Sequence, residues 1–192
     1  MKQFNESGNM EQNEKEIRFF IENENNASSK ANELNLQRFI HDKLLKKRGI
    51  HGIAHFMNVE AFGLMLARKT GAEVDVVKWF AYLHDYCRKT DGTDPDHGPK
   101  AAEYIQEIRN TYLSGLVDYQ VEMLQIACKY HTILDHSTED TIDTCFDADR
   151  LDLPRVGVIL NPIRMATTFG YCYALNTYDC NLEQSKEFMR NL

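Results

Sequence analysis

From residue 35 onward, apolar side chains recur at three- and four-residue spacing, and no stretch alternates with period two for long enough to suggest a sheet. "LNLQRFIHDKLLKK" sets Leu36, Phe39, Ile40 and Leu44 on one stripe, and Gly49 can end that helix. "IAHFMNVEAFGLMLARKT" continues the pattern through Ile53, Phe56, Val59, Leu64 and Leu66, and Gly71 stops it. "EVDVVKWFAYLHDYC" restarts at once. "RKTDGTDPDHGP" is the longest turn-rich stretch, with Gly, Asp and Pro where helices break. "KAAEYIQEIRN", "VDYQVEMLQIACKYHTIL" and "TEDTIDTCFDADRLDL" predict three more helices. Pro154, Gly157 and Pro162 punctuate a looser C-terminal part, and "NLEQSKEFMRN" predicts a closing surface helix. The expected class is all-α, with one helical domain over residues 35–192.

Residues 1–34 are rich in Asn, Glu and Ser, interrupted only by "IRFFI" at 17–21, and predict a polar, mobile tail. The first residues are polar and acidic, unlike a secretory signal. No apolar run reaches membrane-spanning length. The five cysteines are odd in number, scattered and free of CxxC pairs. This argues for a reducing compartment, against a disulfide scaffold and against a cysteine zinc site. A cytoplasmic location is the expectation. The net charge of −7 disfavours long nucleic acid, whose binding rests on Lys and Arg neutralising phosphates. A small phosphorylated ligand needs only a few local cations and stays open. Composition is silent on oligomeric state.

One interruption of the apolar pattern changes this picture. In "WFAYLHDYCRK" a histidine and an aspartate, His84 and Asp85, stand inside an apolar run, where an ionised carboxylate needs a partner or a metal. Similar residues recur elsewhere. His51 and His55 lie one turn apart, His97 opens a helix after the turn-rich loop, and His131 ends a long one, with His136 just beyond. Asp147, Asp149 and Asp152 form an acidic cluster in "FDADRLDL". Imidazole and carboxylate are the donors of Zn, Mn, Fe and Co sites, and a His2Asp2 set leaves positions open for water and substrate. "DGTDPD" lacks the spacing and closing glutamate of a calcium loop and reads as a turn.

The ordered series "HGIAHFMNV", "FAYLHDYCRKTDGTDPDHGPKAA", "IACKYHT" and "CFDADRLDLPRVG" resembles the HD-domain superfamily of metal-dependent phosphohydrolases, above all its small, largely uncharacterised bacterial members. The resemblance covers about residues 49–158. It implies an all-helical fold and a divalent ion (Mn, Co, Ni, Zn, Mg or Fe) held by His55, His84, Asp85 and Asp149. It favours Asp149 over Asp147, because the family's ligand is usually the aspartate just before the basic residue. His97 and His131 stand where two-metal members add ligands, and the competing reading makes them, with His51, substrate-binding or orienting groups. The family often carries Arg-Val after the first ligand, whereas this chain has Asn58-Val59, so any substrate contact of that arginine is absent or altered here.

For phosphate, Arg88 lies three residues after Asp85, Arg150 follows Asp149 directly, and Lys129 precedes His131. Arginine forks suit phosphate oxygens. Asp152 is read as holding Arg150 or a ligand histidine. The implied activity is hydrolysis of a phosphate mono- or diester, nucleotide-like and small, with His84, Asp85, Arg88 and Arg150 at the chemistry. His51 or His97 is the expected proton donor to the leaving group. The alternatives are a nucleotide sensor without turnover and a di-iron oxygenase.

Overall fold

The computed structural model describes residues 28–176, and "IRFFI" and "NLEQSKEFMRN" lie outside them. Seven helices carry the fold, with no strand among the described residues. Helix α1 spans residues 28–39 and runs into a π turn at Ile40–Leu44. It is followed by α2 (Ile53–Thr70), α3 (Val74–Leu83), α4 (His97–Glu107), α5 (Asp118–Tyr130) and α6 (Asp140–Leu151). Short 3-10 turns at Leu153–Val156 and Pro162–Arg164 lead to α7 at residues 168–176.

The last residues of the expected polar tail are described by the structure. Residues 28–34 are helical, and Asn32 is buried with its Nδ2 donating to Asp75 Oδ2 at 2.8 Å and to the Gly115 carbonyl at 3.3 Å. The polar composition hid this turn because its inward face is a hydrogen-bonded amide rather than an apolar stripe.

α3 sits at the centre. Val76, Val77, Trp79, Phe80, Ala81, Tyr82 and Leu83 are all buried, so most of the helix surface is covered. α2, α5 and α6 pack around it, α6 also packs on α2, and α4 packs on α5. Burying each large apolar side chain contributes about 1.5–3 kcal/mol, so this helix anchors the core. Phe39 of α1 meets Trp79 edge-on, with ring centroids 5.6 Å apart. Gly71 ends α2 in the left-handed conformation at φ 77°, its N–H bonded to the Ala67 carbonyl at 3.0 Å.

Two close approaches fix the end of the bundle that matters. A Cβ on Gly98 would lie 2.8 Å from the carbonyl oxygens of both Cys128 and Lys129, so only glycine lets the start of α4 reach the end of α5. Asp147, fully buried on α6, accepts hydrogen bonds from Ala166 N (2.7 Å), Thr167 N (2.8 Å) and Thr167 Oγ1 (2.8 Å). It thereby ties the chain entering α7 to α6, which is why it does not join the histidines.

Candidate metal centre

α3 runs out of helix at Leu83, and the next residues form a turn that is still inside the core. His84 caps it, bonded through its backbone N–H to the Phe80 carbonyl at 3.0 Å, and Asp85 follows. His131 caps α5 in the same way, and Asp149 lies in the last turn of α6. Three helix C-termini therefore converge, each carrying partial negative charge that favours a cation. α2 and α4 arrive by their first turns and bring His55 and His97.

The side chains meet in two groups that share Asp85. In the first, His55 Nε2 is 3.0 Å from His84 Nε2 and 3.4 Å from Asp149 Oδ1. His84 Nε2 is 3.5 Å from the same oxygen, and Asp85 Oδ2 is 3.7 Å from both ring nitrogens. In the second, His97 Nε2 is 3.1 Å from His131 Nε2, and Asp85 Oδ1 lies 3.2 Å and 3.7 Å from them. Donors held about 2.1 Å from one ion stand about 3.0–3.5 Å from each other, so both groups have the right size. Each carboxylate oxygen of Asp85 faces a different group.

The outer nitrogens decide what these rings can do. His84 Nδ1 bonds the Phe80 carbonyl at 3.1 Å, His131 Nδ1 the Cys128 carbonyl at 2.8 Å, and His97 Nδ1 the Asp94 carbonyl. His55 Nδ1 bonds Asp152 Oδ2 at 2.7 Å. Carbonyls and carboxylates only accept, so in each neutral ring the proton sits on Nδ1 and the Nε2 lone pair points inward. Two pairs of lone pairs then face one another at 3.0 and 3.1 Å. That contact is repulsive unless a positive charge lies between them. The donor set thus fits one or two divalent ions.

The titration tendencies agree with a site built for positive charge. Burial opposes charge on His55, but Asp149 and Asp152 outweigh it and raise its pKa. Burial also opposes the charge on Asp149, but the His55 and His84 rings beside it hold its carboxyl well below the usual range. Asp85 is likewise depressed, against burial, by His84 and His131. His97 and His51 are lowered, chiefly by burial.

Family comparison agrees with this geometry. The HD domain model matches residues 52–153. The chain belongs to the HD-domain family. Among solved structures, the crystal structure of a predicted HD superfamily hydrolase from an uncultured Thermotogales bacterium is similar, with a TM-score of 0.65. The two share 22% identity, over 81% of this chain and 90% of that one, a level that speaks for the fold. No curated protein matches. HD domains are metal-dependent, and these overlapping His/Asp groups are of a kind that can hold a metal ion.

Of the residues singled out in the sequence, His51, His55, His84, Asp85, Arg88, His97, His131 and Asp149 come together here. His51 stands at the edge, its Nε2 3.6 Å from Asp85 Oδ2 and its Nδ1 3.1 Å from Asp91 Oδ1. Arg88 donates from Nε to Asp85 Oδ1 at 3.1 Å and from Nη1 to the Gly92 carbonyl at 2.9 Å.

Two expectations are corrected. Arg150 was expected at phosphate. Its guanidinium instead donates to the carbonyls of Leu134, Asp135 (2.6 Å) and Arg164 (2.7 Å), and lies 3.6 Å from Asp147. It is a clamp between α6 and two loops. Lys129 is exposed on the outer α4–α5 groove, with its ammonium 4.9 Å from the Tyr130 ring centroid. Successive side chains on a helix point about 100° apart, so a residue one or two positions from a candidate ligand faces elsewhere.

Sequence reasoning missed Asp91 and Arg155. Asp152 holds His55, a candidate ligand, and its arginine partner is Arg155 (3.2 Å), not Arg150. Asn58, the departure from Arg-Val, donates to Asp152 Oδ1 at 2.9 Å. Arg155 also bonds the Ile50 carbonyl, at 2.9 Å from Nη2, and so pins the segment that carries His51.

Proposed function

We propose that this HD-domain protein is a metal-dependent hydrolase of small phosphate esters, nucleotide-like in size. The observation that carries the proposal is the two inward-facing Nε2 pairs joined by Asp85. No amide, hydroxyl or water-exposed surface needs such an arrangement, whereas divalent ions do. The first ion would be held by His55, His84, Asp85 and Asp149, and a second by Asp85, His97 and His131. A bound divalent cation acts as a Lewis acid and makes water a nucleophile near neutral pH.

The remaining steps fall to the chain's own residues. Hydrolysis forms a bond from water oxygen to phosphorus, breaks the phosphorus–alkoxide bond and delivers a proton to the leaving oxygen. His51, oriented by Asp91, is the group we assign to move that proton at Nε2. Arg88 holds Asp85 and borders an open pocket of about 500 Å³ that His51, Asp91, Asp94 and His97 also line. Its remaining guanidinium donors suit phosphoryl oxygens. The similar crystal structure is of a predicted HD superfamily hydrolase, which supports hydrolysis in general.

The test is turnover of aryl phosphate mono- and diesters by metal-stripped protein resupplied in turn with Mn, Co, Ni, Zn, Mg or Fe. Metal-restored hydrolysis is expected, and the preferred ester gives the substrate subclass. Absence of turnover with every ion would contradict the proposal and turn attention to a sensor or to di-iron oxygen chemistry.

A further inference from the structure

The clustered residues open on a second pocket whose chemistry differs from the first. It has a volume of about 270 Å³, and His131 and Asp149 belong to its wall. Around them stand Leu153, Val158, Ile159 and Met165. Thr132 lines this pocket and the polar one alike, so the two meet beside the centre.

Arg150, Arg164 and the Asn161 side-chain oxygen in the second pocket already have partners. The Arg150 guanidinium is bonded to three carbonyls. Arg164 is paired with Asp135 Oδ1 at 2.9 Å, and Asn161 Oδ1 accepts from Ile163 N at 3.1 Å. What the pocket offers is apolar surface, and that surface is unusually open. Ile159 is 61% exposed and Val158 46% exposed. Apolar side chains that face solvent beside clustered acid and imidazole groups fit the pattern of a ligand site with few, fixed polar groups. The polar pocket is the poorer receptor for an apolar group, because Asp91, Asp94, His51 and Arg88 line it.

We infer that the Leu153–Val158–Ile159–Met165 pocket binds the apolar, flat part of the substrate's alcohol, an aryl ring or a nucleobase, while the phosphate sits at the centre next to Asp149 and His131. The protein therefore selects esters of apolar or aromatic alcohols over esters of small polyols. This inference rests on the phosphate-ester reading above and adds the substrate class. The pocket shares Asp149 and His131 with the centre, so whatever fills it also touches the reacting group. That continuity favours a substrate over a second protein.

The test compares kcat/KM for 1-naphthyl phosphate and glycerol phosphate with metal-loaded full-length protein and its variants. The unaltered chain is expected to prefer the naphthyl ester. Ile159→Asn and Val158→Asn are each expected to lower the naphthyl-to-glycerol ratio about tenfold, mostly through KM, the size of effect that a few lost methylene contacts produce. Both positions are exposed, so folding is not at stake, and circular dichroism checks it. Ile163→Asn, 86% exposed on the neighbouring surface outside this pocket, is expected to leave the ratio unchanged. Turnover of both esters with an unchanged ratio in the Ile159 and Val158 variants would overturn the inference and leave the phosphohydrolase reading standing. An equal fall in Ile163→Asn would overturn the assignment to this pocket. No turnover of either ester by the unaltered protein would overturn both readings.

Discussion

Asp152 touches neither group of facing nitrogens, yet it fixes one of them. It holds the outer nitrogen of His55 and is itself held by Asn58 and Arg155. Such a carboxylate sets the ring's tautomer and raises its basicity as a ligand. Asp152→Asn keeps an acceptor but loses the charge. It is expected to weaken metal binding about 10–100-fold, read by competition with a chromophoric chelator. Arg150 gives the opposite prediction, because its contacts are structural. Arg150→Met is expected to lower stability by about 2–4 kcal/mol in denaturant melts while metal affinity stays near that of the unaltered protein. At this scale the sequence was readable where a residue type is costly to bury, as with His84 and Asp85. It was misleading at Arg150 and Lys129, which neighbour candidate ligands in sequence but point away from them.

At the level of elements, the predicted helices correspond to α2 through α6, because their apolar periodicity and glycine stops are strong. Two features were not legible. The turn over residues 28–34 packs through the Asn32 amide, which no periodicity reports. The pairing of α4 with α5 at Gly98 depends on the space a side chain would fill, and that is a property of the packed state. Gly98→Ala would push Cβ against two carbonyl oxygens at 2.8 Å and move His97 away from His131. Its expected effect is loss of the second ion, seen as a fall from two bound ions to one in elemental analysis of reloaded protein. Retention of both ions with unchanged affinity would refute the role given to this contact.

Across the whole molecule, the core and the centre are linked through α3. The helix that anchors the apolar interior ends in His84 and Asp85, so inward-facing lone pairs and carboxylates are built into the body of the domain rather than a loop. A ligand that binds only the folded state stabilises it by mass action, about 2.7 kcal/mol at a hundredfold excess over Kd. For a chain of this size that corresponds to roughly 5–11 °C in Tm. Chelation is therefore expected to lower the Tm by about that much, and restoring the metal to reverse it, in a calorimetric scan. An unchanged Tm would mean that the buried groups are satisfied without a cation. Among the described residues no helix is long and apolar enough to cross a membrane.

The most direct test is anomalous scattering from crystals of the stripped protein soaked in manganese. The account predicts a peak enclosed by His55, His84, Asp85 and Asp149, and a second, on the other carboxylate oxygen of Asp85, between His97 and His131. Manganese found only on surface carboxylates, with no peak touching Asp85, would contradict it.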